Sequence, residues 1–434
     1  MLSKEDNELL CRVGPGTPMG ELFRQFWLPA ARSDELPAPD CPPRRLKLLG
    51  EELIGFRTSS GKVGLIQNAC PHRGASLFFG RNEEEGLRCV YHGWKFDVEG
   101  RCVDMPSEPA ESNFKGKVRA RAYPCAERGG IVWAYMGPRE APPPLPQLEA
   151  NMLPQDEVLL ETAHRGCNWM QALEGDIDTS HIGFLHSGVE ALENQRPGSF
   201  AYYALKDKAP RYVVVDTEFG TSYGAYRPAE PGYTYWRIAH FLFPCFSMIP
   251  TGILGRQVLA RAWVPLDDEN SMLYSMAARA GNDIVGRAAT IFGHEDYLPD
   301  STDWLGRSRA TRQAYNDYLI DRRAQKAGSF TGIAGVHTQD MCVTESMGAV
   351  MDRTHEHLGT SDAMVIRTRR ALLRAARELR DRGVAPALVD RPELYLTRSG
   401  GVILPESADW LLATERLRQP FVSHPELSEA PLQA

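Results

Sequence analysis

The chain has 434 residues, a length that suggests two or three domains at about 150 residues each. Hydrophobic residues make up 43% of the chain and charged residues 24%, so it can bury its own cores without disulfide bonds. The net charge of -7 argues against a protein of nucleic acids or anionic membranes, because such proteins usually carry a clustered basic excess.

Apolar runs and cysteine usage indicate the compartment. No run of about 18 apolar residues is present, and the segment from Met1 to Gly16 is charged and lacks the apolar core of a signal peptide. We therefore expect a cytoplasmic protein that does not span a membrane. Nine cysteines are an odd number, which argues against a disulfide framework. Five of them are predicted to be ordinary thiols: Cys11, Cys41, Cys125, Cys167 and Cys245.

The first third of the chain divides into three parts. Residues 5–30 are predicted to form a helix and an aromatic-rich turn, within an N-terminal helical segment (residues 1–43) that packs on the rest. From Arg44 to Tyr135 short alternating segments are separated by Gly and Pro, which predicts a small antiparallel β domain over 44–140. The Pro-rich run that follows predicts a stiff connector over 141–150.

Residues 151–434 are predicted to form a second, larger domain. Helical patterns flank a series of strand-like runs, and Gly383 with Pro386 ends the last helix. A strand meander flanked by helices predicts an α+β fold. The predicted helices cover 168–187, 336–352 and 361–382, and the strands cover 211–218, 233–243, 257–264 and 271–277.

Two loops of the small domain each pair one cysteine with one histidine, as Cys70-Pro71-His72 and Cys89-Val90-Tyr91-His92. Two thiolates and two imidazoles fit a single structural zinc ion. However, zinc fingers usually pair Cys with Cys and His with His. One Cys and one His from each loop instead favours a two-iron, two-sulfur cluster whose cysteines bind one iron and whose histidines bind the other.

A second group of ligand-type residues follows about ninety residues later. Asp178 and His181 are three apart, so on a helix they share a face. His181 and His186 are roughly 140° apart on a regular helix, and we expect the helix to end near Gly183 so that His186 can turn back. Two imidazoles and one carboxylate form the facial triad of oxygen-activating Fe(II) sites.

The carboxylate of that triad has to come from elsewhere in the chain. Asp340 is our candidate, because it lies in a mostly uncharged patch at the predicted start of a helix. Glu345, Asp352 and Asp362 are rivals, and spacing alone does not choose among them.

At this point the sequence resembles the Rieske non-haem iron oxygenases, in particular the phthalate-dioxygenase-like branch of oxygenase components. The resemblance covers nearly the whole chain. It rests on Phe26-Trp27-Leu28-Pro29, both Cys–His loops, the block from Asn168 to His186, and Gln339-Asp340 with Glu345-Ser346-Met347-Gly348. It implies a small antiparallel β Rieske domain and a larger helix-flanked antiparallel-sheet domain of the helix-grip type.

The resemblance also implies a role for each candidate residue. Cys70, His72, Cys89 and His92 would hold the [2Fe-2S] cluster, and His181, His186 and Asp340 would hold the catalytic Fe(II). Asp178 matches the bridging carboxylate that joins His181 to the cluster histidine, here His92, of a neighbouring subunit. That bridge implies a homotrimer or a stacked pair of trimers. Electrons would come from NAD(P)H through a separate reductase with a flavin and a [2Fe-2S] centre.

The expected activity is O2-dependent hydroxylation of a small aromatic carboxylate, such as phthalate or a diaryl-ether carboxylate. An O-demethylase or monooxygenase of methoxylated aromatic acids shares every motif and is the alternative. An electron-transfer Rieske protein is a third possibility, but it would leave residues 151–434 without a role.

The residues that bind the substrate are not assigned from the sequence. We expect the pocket to form from residues 184–277 and from the segment after Phe330. Aromatic candidates are Phe184, Tyr203, Tyr226, Trp236, Phe241, Phe243 and Phe246, and candidate cations for a carboxylate are Lys206, Lys208, Arg211, Arg227, Arg237 and His240. The sequence does not place the arginine pair expected of a true phthalate enzyme, which argues against phthalate itself and leaves a larger carboxylate, such as a diaryl ether or a methoxylated biaryl, open.

Overall fold

The computed structural model describes residues 1–109, 111–187, 200–279, 295–422 and 424. Part of the range predicted to form the pocket, residues 188–199, lies outside the described residues. Within the described residues, no helix combines the length and the apolar composition that a bilayer span requires. The α+β prediction is confirmed, since an antiparallel sheet with flanking helices follows a small β region.

The N-terminal segment contains two helices and a strand. Helix α1 (Lys4–Cys11) is capped by the Ser3 side chain and α2 (Pro18–Arg24) by Thr17. Strand β1 (Trp27–Arg32) then pairs with residues 131–135. The predicted aromatic-rich turn was therefore wrong for Trp27, Leu28 and Pro29, which begin this buried strand.

Short antiparallel strands build the region that carries the Cys–His loops. They form three small sheets of the orders β1-β11-β10, β2-β3-β4-β9 and β5-β6-β7-β8. Their bounds are β2 Arg44–Leu48, β3 Glu51–Arg57, β4 Val63–Gln67, β5 Arg81–Glu83, β6 Gly86–Arg88, β7 Lys95–Phe96, β8 Cys102–Asp104, β9 Ala122–Tyr123, β10 Cys125–Arg128 and β11 Ile131–Tyr135. A separate apolar core, including Phe56, Ile66, Leu87 and Phe96, lies beneath the two loops.

The Pro-rich connector has no regular structure between Ala141 and Leu148. It packs against the first strand, because the Trp27 Nε1–H donates to the Pro143 carbonyl at 2.6 Å in a buried position. The connector therefore links the two parts of the chain along a packed surface.

The larger sheet has eight described strands in the order β12-β18-β17-β16-β15-β14-β13, with β19 paired to β15. All of these pairs are antiparallel. The bounds are β12 Val158–Arg165, β13 Arg211–Thr217, β14 Gly220–Pro228, β15 Tyr233–Leu242, β16 Phe246–Met248, β17 Leu259–Pro265, β18 Ser271–Ala278 and β19 Gly400–Pro405. The four predicted strands are confirmed within a few residues.

Helices pack around this sheet. The longest described helix, α9, ends at Gly383 in the left-handed conformation (φ 68°), as predicted. It packs on β13 and β14, while α4 packs on β15 to β18. The bounds are α3 Glu149–Met152, α4 Trp169–Ile177, α5 Ile182–Leu185, α6 Phe200–Lys206, α7 Arg322–Ala327, α8 Val336–Ser346, α9 Ala363–Arg382 and α10 Trp410–Ala413.

Two carboxylates fix helix α4 in place. Glu174 accepts from Arg353 Nη2 at 3.0 Å and from Arg369 Nε at 2.5 Å, which ties α4 to α9. Burial alone would raise the pKa of Glu174, but the two guanidinium groups outweigh it and lower the pKa. Two residues later, Asp176 accepts from side chains of β16 and β17. These donors are Ser247 Oγ at 2.6 Å, Arg261 Nη1 at 2.8 Å and Trp263 Nε1 at 2.7 Å.

Candidate metal centres

The two Cys–His loops have the same construction. In each, the cysteine N–H donates to the carbonyl five residues on at 2.8 Å, and the glycine four residues on donates back to the cysteine carbonyl at 2.9 Å. The cysteine–glycine pairs are Cys70 with Gly74 and Cys89 with Gly93. Both glycines have positive φ, 76° and 78°, which residues with a Cβ rarely adopt. The repeated Cys-to-Gly spacing therefore encodes a matched pair of tight loops.

The four side chains of these loops converge. Cys70 and Cys89 are each 3% exposed, and burial, with Cys89 beside it, raises the pKa of the Cys70 thiol to about 11. The His72 and His92 rings lie 4.4 Å apart, and Trp94 stacks on His72 at 4.2 Å. The Nδ1 atoms of both histidines are buried and have no hydrogen-bond partner among the described residues. Buried nitrogens of this kind fit metal ligands.

The spacing of the loop ligands also distinguishes between the two metal centres that the sequence left open, a single zinc ion and a two-iron cluster. Ligand atoms of a tetrahedral zinc site lie within about 4 Å of one another. Among the described residues, groups of three or more such side chains within 4.8 Å occur once, at His181, His186 and Asp340, and the Cys–His loops do not form one. The wider spacing of the loop ligands fits a two-iron cluster better than a single ion.

The helix predicted over 168–187 is broken before His181, and His181 and His186 lie at the two ends of the short helix α5. Helix α4 ends at Ile177, and Asp178 has an extended backbone (φ -98°, ψ 115°). The predicted break at Gly183 was therefore wrong, since Gly183 lies inside the next helix, α5. The physical reason is local, because the Asp178 carboxylate accepts from the Ser180 N–H at 2.6 Å and so offers the backbone an alternative to the helix.

The break brings the predicted triad together. His181 Nε2 and His186 Nε2 lie 3.2 Å apart. Oδ1 of Asp340, on α8, lies 3.7 Å from the first nitrogen and 3.3 Å from the second. Two imidazoles and one carboxylate thus face one point, with side chains 12% to 28% exposed. This donor set fits Fe(II) of the facial-triad type.

The rival carboxylates are engaged elsewhere. Glu345 accepts from the Gly166 N–H at 2.7 Å and from the Tyr318 hydroxyl at 2.5 Å. Asp352 accepts from the backbone and hydroxyl of Thr354, and Asp362 accepts from the Gly359 N–H at 2.6 Å. Sequence spacing did not exclude these carboxylates as iron ligands. Their hydrogen bonds to other groups favour Asp340 as the ligand.

The charges of the triad stabilise one another. Burial alone would raise the pKa of Asp340, but His186 and His181 outweigh it and hold the pKa well below its usual range. Burial lowers the pKa of His181, and the charge of Arg237 adds to this. The hydrogen bond to Asp178 and the charge of Asp340 outweigh both, so the pKa of His181 is raised. A carboxylate that stays ionised is suited to bind a cation.

Each triad imidazole has its own orienting partner. Asp178 Oδ2 lies 3.4 Å from Nδ1 of His181, so the predicted contact between these two residues is present. Nδ1 of His186 lies 2.7 Å from Oε1 of Gln339. Sequence reasoning missed Gln339, although it directly precedes the predicted ligand Asp340. It also missed Asp176, which anchors the end of α4 two residues before Asp178.

One face of β13, β14 and β15 is polar and buried. The strand register places Tyr212 opposite Ala225, which lies opposite Arg237, and it places Arg227 opposite Tyr235. The Tyr212 hydroxyl lies 2.7 Å from Ser180 Oγ, so this face is turned toward the break between α4 and α5. The polar face consists of Tyr212, Tyr223, Arg227, Tyr235 and Arg237.

The opposite face of the same strands is apolar. Tyr226 and Trp236 pack together with ring centroids 4.8 Å apart, and Trp236 stacks on Trp410 at 5.9 Å. These two aromatics therefore belong to a separate core and do not face the triad, which corrects the expectation that they line the pocket. Phe241, Phe243 and Phe246 are buried in the main core.

Of the remaining aromatic candidates, Tyr203 and Phe184 lie nearer the site. Tyr203 stacks on Tyr235 of the polar face at 4.7 Å. Phe184, in α5, is 49% exposed and lies 5.9 Å from the Phe330 ring. Phe184 therefore lies in the helix between the two triad histidines with Phe330 beside it, and Tyr203 lies against the polar face.

The candidate cations separate by burial. Lys206, Lys208 and Arg211 are exposed. His240 is buried, with Nδ1 2.7 Å from Ser222 Oγ and Nε2 3.0 Å from the Arg398 carbonyl, and burial lowers its pKa to about 4. Arg227 and Arg237 remain as buried cations, 0% and 2% exposed.

Within the described residues, the Arg227 guanidinium makes one hydrogen bond. Its Nε–H donates to the Asp207 carbonyl at 2.7 Å. Both terminal nitrogens, Nη1 and Nη2, are buried and have no hydrogen-bond partner within the described part of the chain. Burial lowers the pKa of Arg227, against the effect of nearby tyrosines. A buried guanidinium with two free donors is costly unless an anion approaches it.

Comparison with known proteins identifies the family of the chain. The family model for the Rieske [2Fe-2S] domain matches residues 26–124, and the model for the LigXa C-terminal domain like family matches residues 134–421. The chain is 47% identical to the 3-chlorobenzoate-3,4-dioxygenase oxygenase subunit of Comamonas testosteroni, with 96% of this chain and 98% of that protein covered.

Two further relatives cover most of the chain. The phthalate 4,5-dioxygenase oxygenase subunit of Pseudomonas putida is 40% identical, with 86% of each chain covered. The 5,5'-dehydrodivanillate O-demethylase oxygenase subunit of Sphingobium sp. (strain NBRC 103272 / SYK-6) is 31% identical, with 90% of this chain and 84% of that protein covered. These relatives include both dioxygenases and a demethylase.

Solved structures agree with the fold. The oxygenase of a carbazole 1,9a-dioxygenase, solved with its ferredoxin, has a TM-score of 0.55 and 20% identity over 86% of this chain and 95% of that chain. Dicamba monooxygenase has a TM-score of 0.53 and 16% identity over 83% of this chain and 99% of that chain. The family matches, the relatives and the fold agree: the chain belongs to the Rieske non-haem iron oxygenases, as an oxygenase subunit of the kind found in Rieske aromatic dioxygenase systems.

Proposed function

We propose that the chain hydroxylates the ring of a small aromatic carboxylate, with the cluster held by Cys70, His72, Cys89 and His92 and the catalytic iron by His181, His186 and Asp340. The observation that carries the proposal is the triad, whose three ligand atoms lie within 4.8 Å of one another beside a sheet face with buried guanidinium groups. When bound, the cluster supplies single electrons and the ferrous ion activates O2.

Asp178 is the proposed link between the two metal centres. Its Oδ2 lies 3.4 Å from Nδ1 of His181 and its side chain is 26% exposed, and His72 and His92 are only partly buried. A partly exposed carboxylate and partly exposed cluster histidines can meet across a contact between two copies of the chain. This geometry supports a homotrimer, or a stacked pair of trimers, in which Asp178 orients an imidazole on either side.

Electrons are proposed to come from a separate redox protein that obtains them from NAD(P)H through a flavin. The oxygenase of carbazole 1,9a-dioxygenase has been solved in complex with a ferredoxin, which supports such a partner. In ring dihydroxylation, one O2, two electrons and two protons add across a ring double bond, so both oxygen atoms enter the product. The protein binds and orients the ring, holds the iron ligands and excludes water.

The positive charge of the polar face supports a carboxylate group on the proposed substrate. Two buried arginines lie diagonally on neighbouring strands of that face, and both terminal nitrogens of Arg227 are free to donate within the described residues. A carboxylate matches the two parallel donors of a guanidinium. The relatives that act on 3-chlorobenzoate, phthalate and 5,5'-dehydrodivanillate support an acidic aromatic substrate as well.

A single turnover identifies the reaction. The holoenzyme is chemically reduced and mixed with labelled O2 and a panel of chlorobenzoates, phthalate, phenoxybenzoates and methoxybenzoates. We expect a cis-diol that carries both labelled oxygens, because a ring dioxygenase transfers both atoms. Mass spectrometry of the products measures the label. Formaldehyde with a free phenol would contradict ring hydroxylation and identify an O-demethylase.

The substitution Arg227→Gln tests the carboxylate contact. Loss of a charged hydrogen bond of about 1.5–3 kcal/mol should lower kcat/KM for the acid by about 10- to 100-fold. The methyl ester of the same acid should lose far less, since it carries no charge. Steady-state oxygen uptake gives both constants. Arg211→Gln, at an exposed position of β13, is the control. An equal loss for acid and ester would refute the contact.

The substitution Asp340→Ala tests the iron site. The protein should fall from about three iron atoms per chain to about two, because the cluster keeps its own ligands. Iron analysis and the cluster absorbance measure this. Glu345→Gln, on the same helix, is the control and should retain all the iron. If Asp340→Ala also keeps its iron, another carboxylate is the ligand.

The substitution Asp178→Asn tests the link between the centres. Cluster and mononuclear iron should both remain, while reoxidation of the reduced cluster in the presence of substrate and O2 slows at least about 10-fold, because the bridge no longer couples the two histidines. Stopped-flow absorbance follows the cluster. Asp352→Asn, at an exposed position, serves as the matched carboxylate control. Reoxidation at the unaltered rate would disprove the assignment.

A further inference from the structure

The second triad histidine is held by an amide rather than a carboxylate. Nδ1 of His186 lies 2.7 Å from Oε1 of Gln339, a side chain only 1% exposed. The contact is separate from the Asp178–His181 pair. It therefore raises the question of what fixes the amide itself.

Two acceptors fix the orientation of the Gln339 amide. Its Nε2 donates to the Ile333 carbonyl at 2.8 Å and to Thr331 Oγ1 at 3.1 Å. A backbone carbonyl can only accept, so the group that faces Ile333 has to be the NH2. The amide oxygen then faces His186 and requires a proton on its Nδ1. The neutral ring is left with an unprotonated Nε2, the atom that faces Asp340.

The segment that holds the amide also contacts the chain next to His186. The Phe330 N–H donates to the Ser187 carbonyl at 3.1 Å, and the Phe330 ring lies 5.9 Å from Phe184. Residues 329–333 therefore touch the triad region twice, once beyond His186 and once through Gln339. A shift of residues 329–333 would therefore be transmitted to the His186 ring through the side chain of Gln339.

We propose that Gln339 is a positioning residue, which fixes the tautomer and direction of His186 and ties that ligand to residues 329–333. This role rests on the proposed iron site. The two imidazoles then have different partners, a charged carboxylate for His181 and a neutral amide for His186. Partners of metal-bound histidines typically contribute about 10- to 100-fold to metal affinity.

The test compares Gln339→Leu with Gln171→Leu in the holoenzyme. Gln171 is equally buried, at 1% exposed, and its amide donates to the Thr344 and Gly348 carbonyls without touching a ligand. Anaerobic dialysis against a series of chelator concentrations measures Fe(II) affinity. We expect about 10- to 100-fold weaker Fe(II) binding in Gln339→Leu, an intact cluster spectrum, and the affinity of the unaltered chain in Gln171→Leu.

A second readout reports the geometry of the iron. With the cluster oxidised and silent in electron paramagnetic resonance, nitric oxide is added as a probe and the spectrum of the ferrous nitrosyl is recorded. Gln339→Leu should change the rhombicity of this spectrum.

Two results would overturn the role: an unchanged affinity and spectrum in Gln339→Leu, or an equal loss of iron in Gln339→Leu and Gln171→Leu. If the proposed iron site itself were wrong, the unaltered chain would carry only the iron of its cluster. This result is distinct from failure of the Gln339 role.

Discussion

Two carboxylates fix the end of helix α4, and the geometry of the candidate iron site depends on where that helix ends. Glu174 is bound to two arginines from outside the helix, and Asp176 is bound to β16 and β17. Removing one partner from such a buried pair typically costs about 3–5 kcal/mol, so α4 has little freedom to shift along the sheet. The break at Asp178 therefore begins at a fixed point, and His181 and His186 emerge from it toward Asp340 on a different helix.

The candidate ligands could be proposed from the sequence because their chemistry is local. Cys70, His72, Cys89 and His92 stand in two short loops whose residue types and glycine positions determine the loop geometry. The strands of the larger sheet were equally accessible, since alternation and turn residues mark them. Asp340 could be proposed but not selected from spacing, because the choice depends on which rival carboxylates already have partners, and those partners lie far away in sequence.

The rest of the site depends on contacts that no local pattern contains. The helix break was expected at Gly183, since glycine favours helix ends, yet the carboxylate of Asp178 ends the helix first. Tyr226 and Trp236 have the composition of pocket residues, but the register of β14 and β15 turns them away from the triad, toward Trp410. A shift of one residue would exchange the two faces, so pocket membership is decided by pairing and not by residue type.

Charge balance connects the polar face to the iron site. A ferrous ion with Asp340 as its anionic ligand would keep one positive charge, and Asp178 beside His181 would offset it. The nearby guanidinium of Arg227 is then a further positive charge in a buried region, with two donors that no described side chain engages. Burial of such a charge is unfavourable until an anion compensates it. The aromatic carboxylate proposed as the substrate would supply that anion when it binds, so the contact proposed to select it would also orient its ring beside the iron site.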